Sequence, residues 1–270
     1  MISRTILLLG TALLAAMPLS CRRKAQSQLT IAGSTSVQPF IERVAEVYMR
    51  RNPGLKVVVQ GGGSTAGVQA VRDGAAAIGM CSRQLSEQEK DLTPILIARD
   101  GIAIIVNPKN PVSNLTARQA RDVFAGTLTD WSEVGGKKAR IWVVTREPGS
   151  GTRGAFEELL MRGERVTDGA LVQDSNGSVR EIIAGFPEGI AYVSSGLVNE
   201  EVKGVSLDGV PPAEDNIRTG KYALVRPFLF VVKGEPTAAA KQFIQYVLDE
   251  EGQQLLEDEH LTRAKQAGGS

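Results

Sequence analysis

An α/β fold, with strands and helices alternating around parallel sheets, is what this 270-residue sequence predicts. Three observations predict it. Short apolar runs of strand length alternate with stretches whose apolar residues recur at helical spacing. The joints between them are turns rich in Gly, Ser, Thr and Asn. After an N-terminal segment of different character, about 240 residues remain, enough for one large core or two lobes. In such folds ligands sit at the carboxyl ends of the strands.

The N-terminal segment decides the compartment. Arg4 is the only charge before Cys21, and Ile6 to Met17 is continuously apolar or small. That is an export signal over residues 1–21, too short for the roughly 20 apolar residues a membrane span needs and broken at Pro18. The segment ends Pro18-Leu19-Ser20-Cys21 and turns polar at Arg22-Arg23-Lys24. This has the look of a bacterial lipoprotein signal, in which Cys21 carries the lipid and residues 22–27 form a tether. Pro18 stands where an aliphatic residue is usual, so a plain cleaved signal is the alternative. Only Cys81 is then left, inside an apolar run, which reads as a buried inert thiol. Removing residues 1–21 takes Lys plus Arg from 31 to 30, equal to the 30 acids. A neutral surface without a basic block argues against a nucleic-acid partner.

Leu29–Ala32 reads as a strand, and Phe40, Ile41, Val44, Ala45 and Tyr48 as one face of a helix stopped by Asn52-Pro53-Gly54. Leu55–Val59 is a strand. A helix carrying Val68 and Val71 follows, then a strand from Ala76. Ser86 and Glu89 have capping-box spacing for a further helix. Pro94–Ala98 and Ile102–Val106 are two β-rich runs of the fully buried kind. Thr116 and Gln119 cap a helix through Phe124. A strand at Arg140–Thr145, helices at Ala155–Met161 and Ser178–Ala184, and a strand at Ile190–Val193 follow. Val225–Val232 is a late apolar strand, and Phe243, Val247 and Leu248 mark a final helix.

Three strands end in hydroxyl-rich turns that open helices: Gly33-Ser34-Thr35-Ser36, Gly63-Ser64-Thr65 and Gly149-Ser150-Gly151-Thr152. Any one of them alone is an ordinary N-cap. Three together, with glycines that let backbone N–H groups approach a ligand, suit a small tetrahedral oxyanion. Arg146, just after its strand, supplies a charged fork. No Gly-Lys-Ser/Thr ending follows Gly61–Gly67, so a P-loop is excluded. The single histidine, His260, lies in an acidic stretch near the C-terminus, which leaves a Ser-His pair without support. One His and one internal Cys do not make a zinc site. No catalytic residues, metal or cofactor are expected.

The segments "AGSTSVQPFIERVAEVY", "NPGLKVVVQGGGSTAGVQAV", "AAIGMCSRQL", "GIAIIVNPKNPVSNLT", "FAGTLTDWSEVGG", "VVTREPGSGTRGAFEEL", "IAYVSSGLV" and "GKYALVRPFLFVVKGEP" occur in this order. Together they resemble the phosphate-binding lipoproteins of bacterial ABC phosphate importers, over essentially all of Leu29 to Leu261. The resemblance implies a type II periplasmic-binding-protein fold, two lobes with central sheets joined by two crossing segments. It places lobe one at residues 28–107 plus 222–263, lobe two at 108–221 and a flexible tail at 264–270. It also implies an anion site of Ser34, Thr35, Ser36, Ser64, Ser82, Arg146, Ser150, Gly151 and Thr152, of which Ser82 comes from the resemblance alone. The partners it implies are inorganic phosphate, the permease and ATPase subunits of an ABC importer, and the membrane through the lipid anchor, for a monomer in the periplasm or at the cell surface.

Two departures stand out. Arg83 and Pro148 occupy positions where well-known members carry acids. Glu147, beside Arg146, is the candidate to accept the ligand's proton in their place, with a surface partner for Arg146 or Arg153 as its plainer role. Another tetrahedral oxyanion (sulfate, molybdate or tungstate) is the alternative ligand. A phosphate-ester hydrolase on the same fold is the alternative class.

Overall fold

The computed structural model describes residues 27–264. The export signal, the lipidation of Cys21, and all of the tether and tail save Ser27 and Ala264 lie outside the described residues. No helix among the described residues is long and apolar enough to cross a membrane.

The first half of lobe one runs β1 (Ser27–Gly33), α1 (Gln38–Arg51), β2 (Leu55–Gln60), α2 (Ser64–Arg72) and β3 (Ile78–Cys81). β1 lies between β2 and β3, parallel to both. Its alternation turns Leu29 and Ile31 into one core, where α1 lays Phe40, Ile41, Val44, Ala45 and Tyr48. The chain then enters β4 (Thr93–Val106), a single 14-residue strand where the sequence suggests two. Arg99-Asp100-Gly101 breaks the apolar pattern without breaking the strand.

Lobe two follows as β5 (Asn114–Leu115), α3 (Ala117–Ala125), β6 (Trp142–Arg146), α4 (Gly151–Phe156, continued by a π-helical turn to Met161), β7 (Leu171–Gln173), α5 (Asn176–Gly185), β8 (Gly189–Ser194), β9 (Lys203–Leu207) and α6 (Glu214–Arg218). Thr116 caps α3 by the expected exchange: Gln119 N–H donates to Thr116 Oγ1 at 3.1 Å, and Thr116 N–H donates to Gln119 Oε1 at 2.9 Å. The chain returns as β10 (Val225–Val232), α7 (Ala238–Leu248), α8 (Glu250–Glu257) and β11 (Thr262–Arg263).

The sheet is mixed rather than all parallel. β10 inserts antiparallel between β3 and β4, and β4 is antiparallel to β8 and β9, while β6 is parallel to β7 and β8. Alternation and spacing fix a strand but not its direction, so the sequence could not show this. Both faces are covered. Phe228, Phe230 and Val232 of β10 enter one core and Leu229 and Val231 another. Ile102, Ile104 and Val106 of β4 are likewise separated from Ala103 and Ile105. Burial on both faces is why these strands read as unbroken apolar runs. The Ser86–Glu89 box opens only one 3₁₀ turn, Glu87–Glu89.

β4 threads both lobes. Residues 93–101 pair with β10, and residues 102–106 pair with β8 and β9. The change of partners falls at Gly101–Ile102, ahead of residue 107, where the sequence reading divides the lobes. On the return, Tyr222 and Leu224 still pack in the lobe-two core, and Leu224 C=O accepts from Ile102 N–H at 2.8 Å. The two crossings lie side by side at residues 101–102 and 224–225.

Candidate anion-binding site

The ends of β1, β3 and β6 and the starts of α2, α4 and α5 converge where the lobes meet. From lobe one, Ser34 Oγ accepts the Ser36 N–H at 3.2 Å and donates to Ser82 Oγ at 2.9 Å. Ser82 N–H donates to Ser64 Oγ at 3.1 Å. Gly63 precedes α2 at φ +90°, backbone that favours glycine. Ser150 in lobe two caps α4, its Oγ accepting from Arg153 N–H at 3.3 Å. Cys81, next to this cluster, is a buried free thiol that burial pushes up, away from the reactive thiolate.

Bonds cross between the lobes. Ser36 Oγ and Thr152 Oγ1 are 2.7 Å apart, and Thr65 N–H donates to Gly149 C=O at 3.2 Å. A methyl group on Gly151 would lie 2.1 Å from Ser64 Oγ and 2.6 Å from Ser82 Oγ, so the two walls approach closely only because that side chain is absent. All nine residues singled out from the sequence stand in this one region.

Arg146 is only 1% exposed. Its Nε donates to Glu147 Oε2 at 3.0 Å and Gln173 C=O at 3.2 Å. Its Nη2 donates to Glu147 Oε1 at 3.1 Å, Asp174 C=O at 3.0 Å and Thr35 Oγ1 at 3.2 Å. Nη1 is buried and has no hydrogen-bond partner among the described residues. A guanidinium N–H held out of water without an acceptor is costly, and an anion oxygen is one group that can supply the acceptor.

Three features were not anticipated. Asn176 at the start of α5 donates through Nδ2 to Ser36 Oγ at 2.9 Å and Thr35 Oγ1 at 3.3 Å. Below the site, Nε and Nη2 of Arg226 converge on Asp100 Oδ2 at 3.0 and 2.8 Å, while Oδ1 accepts the Ser194 and Ser195 hydroxyls at 2.9 and 3.1 Å. Burial raises the Asp100 carboxyl, and Arg226 and the two hydroxyls oppose it. Arg83 turns to Glu89 and donates to both of its oxygens at 2.7 and 2.8 Å. That pairing holds the Glu89 carboxyl down at about 2. Arg83 is thus held by Glu89 within lobe one; it also donates to Thr65 Oγ1 at 3.4 Å, and its side chain lies beside Gly154 of α4 in the other lobe.

The profile of the PBP superfamily domain matches residues 22–251. A Bacillus subtilis (strain 168) protein named phosphate-binding protein PstS is 36% identical over 238 residues, covering 86% of this chain and 79% of that one. The chain belongs to the PstS family. Two crystal structures extend the PstS likeness. A Clostridium perfringens protein, described as a substrate-binding protein of a phosphate ABC transporter and crystallised with bound phosphate, superimposes with a TM-score of 0.86 at 39% identity, covering 88% of this chain and 100% of that one. An ABC-type phosphate transport receptor from Vibrio cholerae gives 0.73 at 37% identity, covering 87% and 99%.

Proposed function

We propose that this PstS-family chain is an extracytoplasmic solute-binding protein that captures inorganic phosphate between its lobes and delivers it to an ABC importer. One observation carries the reading: the buried Arg146 leaves Nη1 without a partner among the described residues, on a guanidinium that already meets a hydroxyl of the other lobe. In this reading Ser34, Thr35, Ser36, Ser64, Ser82, Ser150 and Thr152 furnish neutral donors, and Gly151 furnishes close backbone approach. Each Glu147 oxygen receives one N–H from Arg146 and keeps a lone pair, enough to take the proton of monohydrogen phosphate. The permease and ATPase of the importer are the partners. A lipid on Cys21 ties the monomer to the membrane.

The hydrolase alternative finds no support in the site's chemistry. The groups hydrogen-bonded to the Ser34 and Ser150 hydroxyls are another hydroxyl and backbone N–H groups, and His260 pairs with Glu214 on the surface. Calorimetric titration of inorganic phosphate into the protein and into Arg146→Ala tests the assignment. A charge-assisted bond contributes about 1.5–3 kcal/mol, so the variant should lose roughly 10- to 150-fold in affinity while remaining folded. A loss under about threefold would remove Arg146 from the site. Tight sulfate binding with no phosphate binding would replace the ligand.

A further inference from the structure

The chain leaving β8 makes a third contact between the lobes, beside the two crossings. Ser195–Leu197 form one half-buried 3₁₀ turn there. Lobe two holds this turn at both ends. Before it, Ser194 pairs with Ile102 in the lobe-two sheet. After it, Val198 packs against the core that includes Val179 and Ile183 of α5, and Leu197 C=O accepts from Arg180 Nη1 of α5 at 3.2 Å.

The side chains of the turn nevertheless meet lobe one. Ser195 Oγ donates to Asp100 Oδ1 at 3.1 Å and accepts the Gly101 N–H at 3.2 Å, both on the lobe-one side of the change of partners in β4. Leu197 packs against the lobe-one core. A methyl group on Gly196 would lie 2.9 Å from Phe40 Cζ and 3.1 Å from the Glu259 carbonyl, so bare backbone lets the turn seat this closely. Phe40 stands in the first turn of α1, which opens from the Ser34–Ser36 loop, and Ser194 N–H meets Asn176 Oδ1 at 3.4 Å. The contact therefore lies on the cleft side of the crossings, where closing brings the lobes together. None of the turn's own residues belongs to the anion site.

We propose that this turn is a clasp that lobe two closes onto lobe one, and that Ser195 is a positioning residue for ligand capture, acting through Asp100 and Gly101. What is captured rests on the phosphate reading given above. Attachment decides how the clasp works. Chain connection, sheet pairing and the Arg180 bond carry the turn with lobe two, whereas only side-chain bonds and packing join it to lobe one. A rotation at residues 101–102 and 224–225 can break the second set and keep the first. The closed state gains the clasp contacts and the open state lacks them, so they hold a bound ligand in without touching it.

Two variants test this away from the anion. Ser195→Ala removes both hydrogen bonds, and Gly196→Ala sets a methyl group against Phe40. Each should weaken inorganic phosphate roughly 5- to 30-fold by calorimetry. The loss should fall on the rate at which labelled phosphate leaves into an unlabelled chase, with the association rate held within about twofold. Release as slow as in the unmodified protein, whatever the change in urea stability, would reduce the turn to a structural part and overturn the proposal. A loss confined to the association rate would overturn it as well. Should Gly196→Ala fail to fold by circular dichroism, Ser195→Ala carries the comparison. Failure of the unmodified protein to bind phosphate would instead sink the phosphate reading. Small-angle scattering then tests the clasp alone: Ser195→Ala should have the larger radius of gyration, and equal radii would overturn the clasp.

Discussion

Two arginines, Arg146 in the cleft and Arg226 at the crossing, are 1% and 2% exposed, yet they are built for different ends. Every guanidinium nitrogen of Arg226 has a protein acceptor: Nε and Nη2 meet Asp100, and Nη1 reaches Ser82 C=O at 3.4 Å. Among the described residues Arg146 has acceptors for Nε and Nη2 but not for Nη1. The carboxylates differ in parallel. The Asp100 side chain is 0% exposed and meets an arginine and two hydroxyls, whereas the Glu147 side chain is 27% exposed and, among the described residues, hydrogen-bonds to Arg146. A buried charge with a full set of partners is part of the scaffold. One left a partner short can still bond to something that arrives.

The sharpest way to break this comparison is to exchange each arginine for Met and measure urea unfolding in phosphate-free buffer. Arg226→Met leaves Asp100 buried and uncompensated and should cost about 3–5 kcal/mol. Arg146→Met removes an incompletely satisfied cation and leaves Glu147 with access to water, so it should cost less, about 1–3 kcal/mol, for the Gln173 and Asp174 carbonyls that lose a donor. Equal losses would show that both arginines are scaffold. Gly151→Ala comes next and separates binding from stability. The added methyl meets Ser64 and Ser82 from the other lobe, and overpacking of that kind costs about 1–3 kcal/mol. The cost falls on closure, so phosphate affinity should drop roughly 5- to 150-fold by calorimetry while the urea midpoint without phosphate stays in place. The smallest effect concerns the carboxylates. Glu147→Gln should leave stability nearly unchanged and let sulfate, which has no proton to donate, compete in a phosphate titration. If sulfate competes with neither protein, the acceptor is another group, with Asp174 or a backbone carbonyl next to be tried.

Much of this was legible because it is local. A strand, a Gly-Ser-Thr turn and a helix leave their mark within a dozen residues, so the turns at Ser34, Ser64 and Ser150 were readable, as was the capping of α3 by Thr116. Ser82 was not, because a single serine after a strand carries no pattern, and only the family likeness pointed to it. Asn176 had the right signature in Ser175-Asn176-Gly177-Ser178, a fourth turn of the same chemistry. The strand before it, β7, has only three residues and exposes Leu171 and Val172, so no buried apolar run drew attention to the turn. Asp100 and Arg226 were visible as charges beside or within apolar strands, an expensive placement unless they pair. Their pairing depends on β10 lying antiparallel to β4, which no sequence period encodes. The crossing points were hidden for the same reason: β4 is apolar on both sides of Gly101, and only its partners change there.

The position of β10 has a consequence for the order in which the molecule can be assembled. Sheet pairing in lobe one runs β2-β1-β3-β10-β4, so the strand between β3 and β4 is supplied by residues 225–232, after all of lobe two has been made. During synthesis lobe two has its sheet partners early, while β3 and the first half of β4 present unpaired apolar edges to any strand that passes. The earlier half of lobe one must therefore wait, or be kept apart, until nearly the whole chain is out, and the part of the protein that begins first is finished last.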